Sequence, residues 1–103
     1  FLYAKDVAKA CVQLLQLDEE LPQRIIVSGQ KETQIKDLVK LVCDAFDYHN
    51  VEWLTDKPNG QLRRPTNKSI FLDTLPKFDY TDLQTAMKNT VEWFNSSYPN
   101  VRL

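Results

Sequence analysis

The hydrophobic pattern predicts an α/β chain, or as a fragment an α+β one, with three short strands and about four helices. Three observations carry that reading. Arg24-Ile25-Ile26-Val27-Ser28 is β-branched and ends at Gly29, the pattern of a buried strand. The stretch after Thr33 repeats apolar residues at helical spacing. Strand-like and helix-like runs then alternate along the chain, roughly β-α-β-α-β-α-α.

Phe1-Leu2-Tyr3 is a short apolar run and reads as a strand end. Asp6 is placed to cap a helix running to about Leu17, with Val7, Ala10, Cys11, Leu14 and Leu15 on its inner stripe. Asp18-Glu19-Glu20-Leu21-Pro22 is a polar break on the surface, and Pro22 stops any continuation. After the strand Arg24–Ser28, Gln30-Lys31-Glu32 is a loop. Thr33 caps a helix to about Phe46, whose face Ile35, Leu38, Val39, Val42, Ala45 and Phe46 is expected to pack on that strand as the centre of the core.

Val51-Glu52-Trp53-Leu54 reads as the third strand. Asn67 is placed to cap a short helix through Leu75, which Pro76 ends. Thr81 and Gln84 form a capping box for a last helix to about Asn95, with Leu83, Ala86, Met87, Thr90, Val91 and Phe94 buried and Trp93 off the stripe. A three-stranded sheet of this size is marginal without helix cover or a neighbouring domain.

The 103 residues make one small domain or a piece of a larger one. The only methionine is Met87 and the chain starts at Phe1, so it reads as a fragment. Apolar residues are 43% and aromatics 11%, enough for a core. The net charge of −1, with both signs mixed, argues against a dedicated nucleic-acid or membrane surface. No apolar run approaches the ~20 residues that span a bilayer. Cys11 and Cys43, both on apolar stripes, read as core thiols of a cytoplasmic protein. With one histidine, His49, and no Cys-x-x-Cys, a zinc site is not credible. His49 falls in a polar connection and is expected to be exposed. The acidic run Asp18–Glu20 reads as solvated. The glycosylation-like triplets Asn67-Lys68-Ser69 and Asn95-Ser96-Ser97 are of a kind that arises by chance.

One run is built for something other than packing: Lys57-Pro58-Asn59-Gly60-Gln61-Leu62-Arg63-Arg64. Pro58 and Asn59-Gly60 favour a tight turn, because Pro fixes φ and Asn and Gly tolerate positive φ. Lys57, Arg63 and Arg64 flank it, and a guanidinium fork matches a phosphate bidentately. The turn is therefore a candidate diphosphate clamp. Taken alone, a run this short reads first as a surface loop of solvated charges.

Four stretches together resemble the C-terminal region of the GDP-L-fucose synthase family, extended short-chain dehydrogenase/reductases that act as GDP-4-keto-6-deoxy-mannose epimerase-reductases. They are Phe1-Leu2-Tyr3-Ala4-Lys5-Asp6-Val7-Ala8, then Ile26-Val27-Ser28-Gly29 with Gln34-Ile35-Lys36-Asp37-Leu38, then the Lys57–Arg64 run, and Thr90-Val91-Glu92-Trp93-Phe94. The third is the specific one, matching a Lys-Pro-Asp-Gly loop that ends in a basic pair. The others occur broadly in extended sugar-nucleotide dehydrogenases. The likeness covers essentially the whole chain, and it implies that residues 1–103 are a C-terminal substrate-binding lobe.

The resemblance implies that NADP and the catalytic Ser, Tyr and Lys belong to an N-terminal Rossmann domain absent from this chain, together with the Cys and His of epimerisation. Neither Cys11 nor Cys43 matches that Cys. The chain alone is then expected to be inactive, with no catalytic residue of its own. It implies a GDP-sugar substrate, the Rossmann domain as partner, and a homodimer at full length. Asn59, Gly60, Arg63 and Arg64 would form the substrate contact. Arg64 occupies the place of a basic residue, Lys in some members, that would neutralise the diphosphate. Asn59 replaces the family's usual Asp, keeping one acceptor oxygen and losing the charge. The implied reaction abstracts protons beside a 4-keto group at two carbons and then delivers hydride to the ketone. Two alternatives stand beside this: another sugar-nucleotide epimerase or dehydratase, and a non-catalytic α/β interaction module.

Overall fold

Two segments wide apart in sequence are tied by one carboxylate. Asp6, in the first turn of the first helix, is only 3% exposed. Its Oδ2 accepts a hydrogen bond from the Thr81 backbone N–H at 3.0 Å, and its Oδ1 accepts one from the Thr81 hydroxyl at 2.8 Å. A buried carboxylate needs such partners to offset lost hydration. Asp6 is thus a tertiary clamp inside the helix rather than its cap.

The computed structural model describes residues 1–58 and 60–101. They form four helices: α1 Ala4–Leu15, α2 Ile35–Phe46, α3 Ser69–Thr74 and α4 Leu83–Ser97. They divide into two compact units, the first 1–32 with 65–83 and the second 33–64 with 84–103.

The α/β expectation is overturned. Among the described residues there is no strand, and the architecture is helical. The β-branched and aromatic runs were read correctly as composition, but a strand exists only where its backbone finds a ladder partner. Phe1–Tyr3 and Arg24–Ser28 lie in the first unit and Val51–Leu54 in the second, and none of the three is a strand. Gly29, just after the second run, lies against Phe1 of the first. A Cβ built on Gly29 would lie 2.0 Å from the Phe1 carbonyl oxygen, so only glycine fits that approach. Around Val51–Leu54 the backbone bonds locally: Val51 N–H donates to the His49 carbonyl at 3.1 Å and Thr55 N–H to the Trp53 carbonyl at 2.9 Å.

In the first unit the core is Phe71, fully buried on α3, with Phe78 and Tyr80. Ring centroids lie 5.1 Å apart for Phe71–Phe78 and 4.8 Å for Phe78–Tyr80, both edge to face. Lys9 of α1 donates to the Asp79 carbonyl at 2.8 Å and sits 5.3 Å from the Phe78 centroid. Lys68 donates to the Gly29 and Gln30 carbonyls and lies 5.8 Å from the Tyr80 centroid, tying the Gly29 turn to the start of α3. The N-cap of α3 is Lys68 rather than the expected Asn67, although Asn67 Oδ1, one residue earlier, accepts from the Ser69 N–H at 3.0 Å.

The clamp also rotates α1 relative to the expected stripe. Asp6 and Ala10 are buried, whereas Leu15 is 83% exposed and Val7 and Cys11 are exposed too. Apolar spacing alone put Val7 inward; the hydrogen-bonded carboxylate takes that face instead. Cys11 is therefore not a core thiol, and Cys43 is half-buried.

In the second unit, α2 is amphipathic but buries no residue fully. Arg24–Ser28, on which it was expected to pack, lies in the first unit. Leu38, Val39 and Val42 are half-buried, while Ile35 and Phe46 are exposed. The helix starts at Ile35 with Gln34 as N-cap, not Thr33, and ends at Asp47, whose φ of 52° is left-handed. α4 keeps most of its expected face: Ala86 and Val91 are buried, and Leu83, Met87 and Phe94 half-buried, but Thr90 is exposed. Phe46 and Phe94 meet edge to face at 6.0 Å. Trp93 is exposed, as its place off the stripe predicts.

Candidate functional site

The Lys57–Arg64 run is exposed throughout its described residues. The reversal precedes it: Lys57 N–H donates to the Leu54 carbonyl at 3.3 Å, so Thr55 and Asp56 occupy the turn and Pro58 follows it. A Cβ on Gly60 would meet nothing within 4 Å, so no close approach demands glycine there. The turn expected at Pro58–Gly60 runs through Asn59. Asn59 lies outside the described residues. Lys57 stands 3.5 Å from the neighbouring Asp56 carboxylate, an exposed pair of little energetic weight. Arg63 and Arg64 are both exposed. The loop presents its cations to solvent, as a site for an anionic ligand must.

Immediately before this loop lies a depression that the sequence alone did not single out. It has a volume of about 770 Å³ and is wide open to solvent. One wall is α2, through Lys36, Asp37, Lys40, Cys43 and Asp44; the other is the segment His49, Val51, Trp53 and Thr55. Lys40 donates to Asp44 Oδ2 at 2.8 Å. That bond, with the ammonium charge, holds the Asp44 carboxyl below the usual carboxylate range and the Lys40 ammonium above its usual range. His49 is exposed, as expected, and lies 3.7 Å from Asp47. Trp53 is 54% exposed, a large aromatic surface on the groove wall. The signal for it was in the sequence, since a tryptophan beside a basic turn is a stacking residue as readily as a strand residue.

Among the described residues no group of three or more His, Cys, Asp or Glu side chains is placed to hold a metal. Among the described residues no helix is long and apolar enough to cross a membrane. The residues present do not fit a nicotinamide dinucleotide. The two glycines are separate, Gly29 is closed off by the Phe1 carbonyl, and no glycine-rich turn opens a helix.

No protein-family model matches the chain, and no solved structure does. Curated relatives do match. GDP-L-fucose synthase of Dictyostelium discoideum is 28% identical over 99% of the chain and 32% of its own length. Probable GDP-L-fucose synthase of Drosophila melanogaster is 26% identical over the same shares. GDP-L-fucose synthase 1 of Arabidopsis thaliana is 32% identical over 91% of the chain and 29% of its own length. The chain spans about a third of the length of these relatives, which their names make enzymes. Along nearly all of its residues, then, this chain is similar to one third of a GDP-L-fucose synthase.

Proposed function

We propose that residues 1–103 are the nucleotide-sugar-binding lobe of an NADP-dependent epimerase-reductase that converts GDP-4-keto-6-deoxy-mannose to GDP-L-fucose. The observation that carries this is the likeness to GDP-L-fucose synthases over nearly the whole chain, together with the exposed basic loop Lys57–Arg64. In this reading the loop binds the diphosphate, Arg64 supplies a bidentate fork, and Gly60, Arg63 and Asn59 complete the contact. The lobe orients the sugar and does no chemistry itself. The cofactor is NADP, held by residues outside this chain, in a Rossmann domain that this lobe accompanies within a cytoplasmic homodimer.

The test is Arg64→Ala in the enzyme that contains this lobe. A charge-assisted hydrogen bond contributes roughly 1.5–3 kcal/mol, so KM for the GDP-sugar should rise by about tenfold to a hundredfold. Arg64→Lys should recover part of the loss, because a point charge keeps the attraction without the fork. Stability should not change, since the residue is exposed. An unchanged KM under true saturation would return the loop to a solvated surface turn.

A further inference from the structure

We propose that Thr66 is a phosphorylation site for a basic-directed serine/threonine kinase, and that its phosphate pairs with Arg64 and withdraws that residue from an anionic ligand. The second half rests on the reading of the adjoining loop as a diphosphate site; the first does not. Arg63-Arg64-Pro65-Thr66 sets two guanidinium groups three and two residues before a hydroxyl. A kinase whose substrate groove carries carboxylates holds such a pair through charge-assisted hydrogen bonds, and the charge pattern selects the target.

Accessibility singles Thr66 out among the hydroxyls. Residues 60–67 are exposed and outside any helix, and α3 begins only at Ser69. Pro65 fixes its own φ and pushes Arg64 away from the helical region, so the segment favours an extended course. Other hydroxyls are committed inside the fold. Thr81 donates to Asp6 at 2.8 Å, Thr74 to the Ile70 carbonyl at 2.7 Å and Thr90 to the Ala86 carbonyl at 2.7 Å. Phosphoryl transfer needs the hydroxyl in line with the γ-phosphate and beside the kinase's catalytic Asp, and an exposed, extended segment can deliver it there. Thr66 Oγ1 bonds to the γ-phosphorus of ATP as the bond from that phosphorus to the β–γ bridging oxygen breaks. ADP leaves, and the hydroxyl proton passes to the kinase's Asp.

The modification adds a charge of about −1.5 to −2 and three acceptor oxygens, which offsets the charge of the arginine pair. Thr66 and Arg64 are two residues apart, so at most ~7 Å of chain separates them. A phosphate tethered at that range competes for the guanidinium fork at a high effective concentration.

The experiment uses the enzyme that contains this lobe, ATP and the catalytic subunit of cyclic-AMP-dependent kinase, a basic-directed enzyme. Tandem mass spectrometry should place phosphate on Thr66, and Thr66→Val should lose it. Arg63→Ala and Arg64→Ala should each slow modification of Thr66 by about tenfold to a hundredfold, since each removes a charge-assisted contact to the kinase. An acidic-directed kinase should leave Thr66 unmodified. The phosphorylated enzyme should show a KM for the GDP-sugar raised by about tenfold to a hundredfold, as for the loss of Arg64. Kinase-treated Thr66→Val should keep the KM of the untreated parent. No phosphate on Thr66, or modification indifferent to both arginines, would overturn the proposal. An unchanged KM after phosphorylation, with KM raised in Arg64→Ala, overturns the switch. An unchanged KM in both removes the diphosphate reading and leaves the modification site standing.

Discussion

Removing the Asp6 carboxylate should be among the most destabilising single changes in the first unit. The group is 3% exposed and accepts two hydrogen bonds from Thr81, at 3.0 and 2.8 Å. Hydrogen bonds to a charged group contribute roughly 1.5–3 kcal/mol each. Asp6→Ala should then cost about 3–5 kcal/mol, partly because the Thr81 donors are left without their acceptor. Thr81→Val keeps the backbone donor and loses the hydroxyl, for a cost of about 1.5–3 kcal/mol, since one bond to a charged group is lost. With Asp6 already alanine, the same Thr81→Val change should cost little. Urea unfolding of the parent, the two single variants and the double variant closes the cycle, provided the m-value stays constant. A coupling energy of about 1.5–3 kcal/mol is expected. Coupling under ~0.5 kcal/mol, within the usual scatter of independent sites, would show that the two residues do not form one clamp.

Phe71→Ala should cost about 3–5 kcal/mol, since the ring is fully buried against Phe78 and Tyr80; a loss under 1 kcal/mol in denaturant unfolding, well below that range, would move the core elsewhere. Tyr80→Phe should not destabilise at neutral pH, because the Tyr80 hydroxyl is buried without a hydrogen-bond partner among the described residues. Burial first, and the Asp6 charge second, push the Tyr80 phenol above its ordinary 10.0. The fold therefore favours the neutral phenol, and stability falls as pH rises past 10.0, where the unfolded chain ionises first. Tyr80→Phe lacks that loss, so its advantage over the parent should widen above pH 10.0 in thermal melts, and a constant difference would contradict the assignment. Asp47→Gly should stabilise by up to about 1 kcal/mol, because glycine adopts the left-handed φ of 52° at the end of α2 without steric cost; a lowered Tm would mean the Asp47 side chain is needed.

The helices were legible because each carries its own signal. The α4 stripe, the Asn67–Ser69 hydrogen bond and the Pro76 stop act within a few residues, so local chemistry decides them. The exposed basic loop was legible for the same reason: a run of Pro, Asn, Gly and Arg has no apolar side to bury. Strands were not, because ladder pairing is a property of two segments, and β-branched composition says only that a segment would fit one. The rotation of α1 was equally hidden. Hydrophobic spacing favours Val7 and Cys11 as inward residues, yet the Asp6–Thr81 bonds, spanning 75 positions, hold a carboxylate inside instead. The groove before the basic loop belongs to the same class. Its carboxylates sit on α2 and its tryptophan on the segment beyond it, and neither residue type announces a groove until folding sets one beside the other.

The sequence by itself determined where the helices lie, which loop is basic and exposed, and which enzymes the chain resembles, since all of these depend on residue order alone. Tertiary structure alone decided that the β-like runs stay unpaired, that Asp6 is buried, and that Trp53 and Asp37 line one groove. Each of these depends on which distant backbone and side-chain groups satisfy one another, and the free energy of a hydrogen bond or a buried ring exists only once both partners are in place.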